Sequence, residues 1–422
     1  MAVRKMKRGA ALVGAGMTSF GAFPGLNTRD MFVDAFREMR ASVDKGFDPK
    51  DIDALVIGNY SSTMFEGQNF MGPFVADSVG LTPIPATRTE CACASSGLAF
   101  RQALMAIGSG MADVVLVGGL EKESDLPIAR VTDVLATASD SLYENPAGFT
   151  FPGLYATLAT AYMHQYGATP DTFMQIAIKN HENGALNPKA QFGARIADIM
   201  ASKQKSAAKR GKPVPQWENE MAFLKDNAAN PPIAWPMRLF DCSPVSDGAV
   251  ALLLVADEIA SKFTDKPLHV IGYGQGSDVP TYQRESLTSI KATKVAAEQA
   301  YGSAGVTPKD IKVCEVHDCF TIAELVAIED LGFFKPGEGF RAIAEGQTAR
   351  LGPRPINSSG GLKSKGHPVG ATGAGQIVEV FKQMRGEAGP RQIPGDNLNL
   401  GLTLNLGGSG MAAIVHIFER RN

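Results

Sequence analysis

The stretch TRTECACASSGLAF, residues 87–100, sets Cys91 and Cys93 one residue apart, just before a run of small and apolar residues. A nucleophilic cysteine needs a lowered pKa, and the N–H groups and positive dipole end at a helix start supply it. Cys93 sits where such a helix would begin, and Ala94, Ser95, Ser96 and Gly97 are small enough for backbone and ligand to approach closely. A packed, inert thiol is the alternative reading of Cys93, and the one that suits Cys91, two residues earlier at the end of an extended segment. A second chemical candidate is His367 in NSSGGLKSKGHPVGATGAGQIVEV, residues 357–380, where Gly366, Pro368 and Gly370 make a tight turn around it. A histidine held so rigidly suits general-base work, because its pKa lies near neutrality. In CEVHDCFTIAELVAIED, residues 314–330, His317 and Cys319 flank an acid at the end of a strand. Zinc chelation by that pair has no supporting CxxC or second ligand set, so no metal site is assigned.

The elements that must carry these residues repeat. FDPKDIDALVIGN (47–59) and VTPKDIKVCEVHD (306–318) share Pro-Lys-Asp-Ile ahead of an apolar run, and DVVLVGG (113–119) and GLTLNLGG (401–408) each close a strand on two glycines. Two related halves are implied. Strands alternating with helical segments predict mostly parallel sheets with helices on their faces. The helix after Cys93 is apolar almost all round, so it is expected between layers. From about 125 to 240 the character changes to long polar helices, the basic run KQKSAAKRGKP (203–213) and the Pro-rich NPPIAWPM (230–237). That region reads as a lid-like insertion. Its basic run reads as a solvated face, with contact to a phosphorylated cofactor as the sharper option. The aromatics of FPGLYATLATAYMHQYG (151–167) read as core or as the lining of a roomy pocket.

Composition narrows the partners. A formal charge of -2 over 422 residues gives no electrostatic reason to bind nucleic acid or an anionic membrane. Five cysteines, an odd number in a long chain, argue for thiols in a reducing compartment rather than a disulfide framework. The basic opening MAVRKMKRGAALVGAG reads as a first buried strand, since glycines interrupt its apolar run and no cleavage pattern follows. No apolar stretch is long enough to span a membrane, HIFERRN carries no peroxisomal address, and a cytoplasmic enzyme is expected.

Four blocks, in order, resemble the motif set of the thiolase superfamily: Cys93-Ala94-Ser95-Ser96-Gly97, His317-Asp318-Cys319-Phe320, Gly366-His367-Pro368 with Gly370-Ala371-Thr372-Gly373, and Asn405-Leu406-Gly407-Gly408. His-Asp-Cys-Phe is similar to the sterol-carrier-type and archaeal branch, which includes acetyl-CoA acetyltransferase-like enzymes. KNHENGALNPKAQF (179–192), with His181, and DCSPVSDGAV (241–250) resemble that branch too. The resemblance implies a five-layered αβαβα fold of two halves: residues 1–121, completed by about 244–266, then an insertion at 122–243, then 267–422. It implies Cys93 as nucleophile, His367 as its base, His317 as a stabiliser of the enolate, and backbone N–H groups of Cys93 and Gly407 as the oxyanion hole. The second acid/base, a C-terminal cysteine in many thiolases, falls to Cys319, because Asn405 stands in its place. Coenzyme A is implied as co-substrate, with Ser243 beside its pantetheine, and no permanently bound cofactor. The partners implied are a second copy in a homodimer and a small OB-fold and zinc-ribbon protein. The substrates implied reach from acetoacetyl-CoA to bulky ones such as benzoylsuccinyl-CoA. The alternatives are a condensing enzyme of the same fold, of ketoacyl synthase or hydroxymethylglutaryl-CoA synthase type, and a non-catalytic acyl-CoA-binding subunit.

Overall fold

The computed structural model describes residues 5–396 and 398–421. Arg4 of the basic opening and Asn422 of HIFERRN lie outside them. Eleven strands are described: β1 Ala10–Met17, β2 Ala54–Gly58, β3 Ala86–Thr89, β4 Val114–Glu121, β5 Pro232–Ala234, β6 Met237–Arg238, β7 Gly248–Ala256, β8 Leu268–Ser277, β9 Val313–Glu315, β10 Leu400–Gly407 and β11 Ala412–Arg420. Nine of them form one continuous ladder in the order β3-β2-β4-β7-β1-β8-β11-β10-β9, and β5 and β6 pair separately.

That order reads the same from either end once β3 is set aside, with β2, β4, β7 and β1 answered by β9, β10, β11 and β8. The internal repeat is thereby visible in space. Each Pro-Lys-Asp becomes a 3-10 turn, Pro49–Asp51 and Pro308–Asp310, leading into β2 and β9, and the two Gly-Gly strands are β4 and β10. The expectation of mostly parallel pairing is corrected. Parallel pairs occur only at β3–β2, β2–β4 and β10–β9, whereas the five pairs from β4 to β10 are antiparallel. Antiparallel neighbours need no crossover helix, and β10 passes to β11 through only residues 408–411.

The halves meet at β1 and β8 through two residue pairs, Ala11 with His269 and Leu12 with Leu268. Their larger contact is a shared core. Ala99, Phe100, Ala103 and Ile107 of the helix Ser95–Ser109 and Ile377, Val378 and Phe381 of the helix Thr372–Arg385 pack with Leu12, Val117 and Leu252 of one half and Val270, Val313 and Phe418 of the other. On the outer face of the first half, Met31, Phe32 and Met39 of the helix Thr28–Ala41 cover Leu116, Leu253 and Val255. On the far side, the helices Lys291–Ala304 and Thr321–Asp330 cover Leu402, Leu404 and Val415. Helix, sheet, helix, sheet, helix is the five-layered arrangement expected. The helix after Cys93 is buried at its start, as its apolar composition requires, while its last turns surface and leave Met105 exposed.

Between β4 and β7 lie the helices Ile128–Ala136, Phe151–Tyr166, Pro170–Gly184, Ile196–Lys209 and Glu220–Lys225. The third of these is tied to the second half. Lys179 pairs with buried Glu324, and Asn180 Nδ2 donates to Asp318 Oδ2 at 2.8 Å. The basic run is exposed at Lys203, Lys205, Lys209 and Lys212. Among the described residues no helix is long and apolar enough to cross a membrane.

The start of the central helix is pressed onto the end of β2. A Cβ on Gly58 would lie 2.2 Å from the Ser96 backbone nitrogen. Backbone cannot swing aside as a side chain can, so Gly58→Ala is expected to cost about 1–3 kcal/mol or more, measured as a lowered urea midpoint. An unchanged midpoint would show that the helix start is free to shift.

Candidate active site

The chain reaches Cys93 through a strained turn. Ala92 has φ of 48°, a left-handed conformation that a residue with a Cβ adopts at a cost. Ala94 N–H closes back to the Cys91 carbonyl at 2.9 Å, and the Ser95 hydroxyl accepts from Cys91 N–H at 2.9 Å. The cysteine is thus presented just ahead of the helix that begins at Ser95. Cys93, Cys319, His367, Ser243, Glu123, Tyr155 and Gly408 line one cavity of about 150 Å³, closed by apolar side chains that include Phe151 and Phe320. His317 is fully buried beside them, its ring 5.1 Å from that of His367 and almost perpendicular to it, at 82°. The Cys93 sulfur and one nitrogen from each of His317 and His367 lie within 4.8 Å of one another.

The hydrogen bonds decide which proton sits where. Asn405 Nδ2 reaches the Cys93 carbonyl at 3.0 Å and His317 Nδ1 at 3.2 Å. A carbonyl only accepts, so the amide nitrogen faces both groups and His317 Nδ1 must also accept. The His317 proton therefore resides on Nε2, which is buried without a partner among the described residues. It is a free donor beside the cysteine. His367 has the opposite arrangement. Its Nδ1 lies 2.6 Å from Thr372 Oγ1, and that hydroxyl donates its own proton to the Pro368 carbonyl at 2.9 Å. Nδ1–H must then be the donor to Thr372, which leaves Nε2 as the bare base. The turn around His367 is held from below: Ser246 Oγ accepts its N–H at 2.8 Å, Glu123 accepts Val369 N–H at 2.8 Å, and Glu121 accepts Gly370 N–H at 3.1 Å.

Burial sets the electrostatics. It pushes the Cys93 thiol well above its ordinary value, reinforced by Cys319 and Glu123 and only partly opposed by the Gly408 N–H. The lowered pKa expected at a helix start is thus corrected, because desolvation outweighs the dipole. The near-neutral pKa expected of His367 is corrected too, since burial pulls it down to about 3. Thiol and imidazole rest as a neutral pair, and the proton passes from sulfur to Nε2 only when an incoming carbonyl lets the charge move on. Cys319 is raised to about 12 by burial and hydrogen-bonds Tyr155. The Tyr155 hydroxyl donates to the Gly408 carbonyl at 3.2 Å and also lies within hydrogen-bond reach of the Cys319 sulfur, where it favours the thiolate against the burial. The cavity is lined by two protonated thiols and one base, with the His317 N–H donor buried beside it.

Some expected residues fall elsewhere. The backbone N–H that reaches Cys93 is that of Gly408, whereas Gly407 lines a neighbouring recess with Cys91. Ser243 lines the cavity, its N–H donating to the Cys319 carbonyl at 2.9 Å. His181 packs against Phe192 and Phe240 with Nδ1 3.0 Å from the Ala194 carbonyl, away from the lining. Phe151 and Tyr155 line the cavity while Leu158 and Tyr162 on the same helix are core. Sequence reading gave no role to Thr372 or Glu123, held Tyr155 only within a stretch that reads as core or pocket lining, and saw Asn405 only as a lost cysteine. The one signal available was the spacing that seats Thr372 a helical turn after the Gly-His-Pro bend.

Residues 10–258 match the family described as thiolase, N-terminal domain, and residues 274–420 match thiolase C-terminal domain-like. The chain belongs to the thiolase family. Its similarity extends to the acetyl-CoA acetyltransferase of Methanothermobacter thermautotrophicus, 42% identical across 98% of this chain and all of the relative. Sterol carrier protein 2 of Homo sapiens is 30% identical, covering 97% of this chain and 71% of the relative. Among solved structures, the Ltp2-ChsH2(DUF35) aldolase superposes with a TM-score of 0.77 at 25% identity over 98% of each chain. Human mitochondrial 3-ketoacyl-CoA thiolase in complex with CoA superposes at 0.66, with 19% identity over the whole of both chains. This thiolase-family chain is an acyltransferase of thiolase type.

Two measurements check the proton arrangement. Iodoacetamide labelling of Cys93 is expected to keep accelerating through pH 9, because the thiol titrates above its ordinary range; a plateau near pH 7 would mean a resting thiolate. Asn405→Ala frees the His317 tautomer, and kcat is expected to fall towards the roughly 10²–10³-fold loss of one oxyanion donor, with KM little changed.

Proposed function

We propose that the chain is a CoA-dependent thiolase cleaving 3-oxoacyl-CoA through an acyl-Cys93 intermediate, and that Cys93, His317, Cys319 and His367 carry the chemistry. The observation that supports this most is the joint placement of a second protonated thiol, Cys319, with Cys93 and His367 on one cavity. As Cys93 attacks the 3-oxo carbon, His367 Nε2 takes its proton, and the Cys93 N–H with the Gly408 N–H holds the tetrahedral oxyanion. The bond between C2 and C3 then breaks. The departing thioester enolate is met at oxygen by His317 Nε2–H and protonated at carbon by Cys319 S–H. The CoA thiol next gives its proton to the Cys319 thiolate and attacks the acyl-cysteine. The Cys93 sulfur leaves with the proton held on His367, which restores the starting state. Splitting one carbon–carbon cleavage into two acyl transfers is what a covalent intermediate achieves.

Apolar and aromatic walls at Leu135, Phe151, Tyr155 and Phe320 suit the bulky acyl group of a substrate such as benzoylsuccinyl-CoA, and Ser243 on the same lining is the residue assigned here to stand beside the pantetheine. The insertion at 122–243 acts as the cover, contributing Phe151 and Tyr155 to the lining. A homodimer through the open edge of β3 is in keeping with its terminal place in the ladder. A second, small OB-fold and zinc-ribbon subunit draws support from the solved assembly of Ltp2 with ChsH2(DUF35). A condensing enzyme of the same fold or a non-catalytic acyl-CoA-binding subunit would not need Cys319 as a proton carrier.

The test is thiolysis of a panel of 3-oxoacyl-CoAs with CoA, with and without the candidate partner, followed by loss of enolate absorbance. Cys319→Ala is expected to keep labelling at Cys93 while turnover falls at least about 10²-fold, within the usual range for a general acid–base group. Unchanged turnover would remove Cys319 from the mechanism. No thiolysis across the panel, with Cys93 unreactive to iodoacetamide, would sink the enzyme reading.

A further inference from the structure

Tyr155 stands between two groups that handle charge in the cavity. Its side chain is buried, and its ring lies close to parallel with that of Phe320, at 25° with centroids 4.7 Å apart, which fixes it against the residue that follows Cys319. Its hydroxyl donates to the Gly408 carbonyl at 3.2 Å and lies within hydrogen-bond reach of the Cys319 sulfur. A phenol carries one proton, so it serves one of these acceptors at a time. At 3.2 Å the bond to the carbonyl is long for an O–H donor, and little holds the proton there. Gly408 in turn offers its own N–H to Cys93.

Which acceptor wins depends on the state of Cys319. While it is a thiol its sulfur accepts weakly, and the carbonyl keeps the phenol proton. Once it has lost its proton, the sulfur carries a full negative charge in a cavity lined by no lysine or arginine among the described residues. A hydrogen bond to an ionised acceptor is roughly twice as strong as one between neutral groups. Burial raises the Cys319 thiol first of all, the Tyr155 hydroxyl opposes that rise, Asp318 and Cys242 add to it, and the Phe320 N–H opposes it. The N–H is fixed in the backbone, whereas a hydroxyl can rotate towards the charge. Burial, and then the Cys319 charge, hold Tyr155 itself well above the ordinary tyrosine value, so it donates without giving up its proton.

We propose that Tyr155 is a positioning residue for Cys319, its O–H turning from the Gly408 carbonyl to the Cys319 sulfur for as long as that sulfur is a thiolate. This rests on the thiolase reading above, in which Cys319 carries the second proton. When the Cys319 S–H bond breaks, the proton goes to C2 of the enolate, the electron pair stays on sulfur, and the phenol O–H swings to it. When the CoA S–H gives its proton to the same sulfur, the phenol O–H returns to Gly408. Tyr155 keeps its proton and its neutral charge throughout.

Tyr155→Phe keeps the ring on Phe320 and removes only the hydroxyl. It is expected to lower kcat for thiolysis of a 3-oxoacyl-CoA about tenfold, the size of one hydrogen bond to a charged group, with KM little changed. In a Cys319→Ala background the same change is expected to alter kcat by less than about twofold, because the group it acts through is gone. A loss as large without Cys319 as with it overturns the proposal, since the effect then lies in Gly408 or in packing. A second measurement reads the sulfur without turnover. In Cys93→Ala protein, iodoacetamide alkylation of Cys319 at pH 9, followed by peptide mass, should slow at least about threefold in Tyr155→Phe, a smaller thiolate fraction being partly offset by a more nucleophilic thiolate. Cys91 in the same sample should react at an unchanged rate. Cys319 alkylation that does not slow also overturns the proposal. Slowed alkylation in the variant, together with wild-type protein that cleaves no 3-oxoacyl-CoA, would count against the thiolase reading and leave the hydrogen bond from Tyr155 to the thiolate standing.

Discussion

The carboxamide of Asn405 spans the seam between the two halves. One of its protons is held by the Cys93 carbonyl from the first half and the other by His317 from the second. Its oxygen presses against the starts of both central helices, where a Cβ on Gly97 or Gly373 would come within 2.7 or 2.1 Å of it. A single small amide therefore sets three things together: how closely the helices approach, where the nucleophile backbone lies, and which nitrogen of His317 carries hydrogen. A shorter side chain would leave that imidazole free to turn its lone pair towards the cysteine.

Desolvation runs through the rest of the site with one sign. It keeps Cys93, Cys319, His317 and His367 neutral at rest, and it raises the supporting acids as well, Glu121 to about 7 and Glu123 well above its ordinary value. Charge is absent until substrate creates it, and then the donors are already in place, so little reorganisation is needed during the reaction. Rigidity supports this, since backbone N–H groups at residues 367, 369 and 370 are each taken by a side chain from another segment.

The duplication was readable because its marks are local. Pro-Lys-Asp-Ile dictates a turn and an apolar run dictates a strand, so β2 and β9 could be matched without knowing their neighbours. Strand direction was not readable, since it depends on where β7 returns after a long insertion, and that is a matter of tertiary packing. Cys93, His367, His317 and Cys319 announced themselves through residue type and flanking glycines. Thr372 and Glu123 did not, because a threonine near a helix start and a glutamate just past a strand look ordinary until their partners are seen. The same limit explains the two pKa corrections: a helix start is visible in sequence, whereas the depth at which it is buried is not.

The mirrored strand order has an implication for how such a site could come to exist. Two identical halves related by a two-fold axis must place every residue twice, once on each side of the axis. A pair of that kind can set a nucleophile against a different base, but only as two equivalent sites, one on each side of the axis. Joining the halves into one chain, across the segment between β7 and β8, releases each copy to drift separately. One asymmetric site, with Cys93 from one copy and His317, Cys319 and His367 from the other, is a freedom that covalent continuity confers.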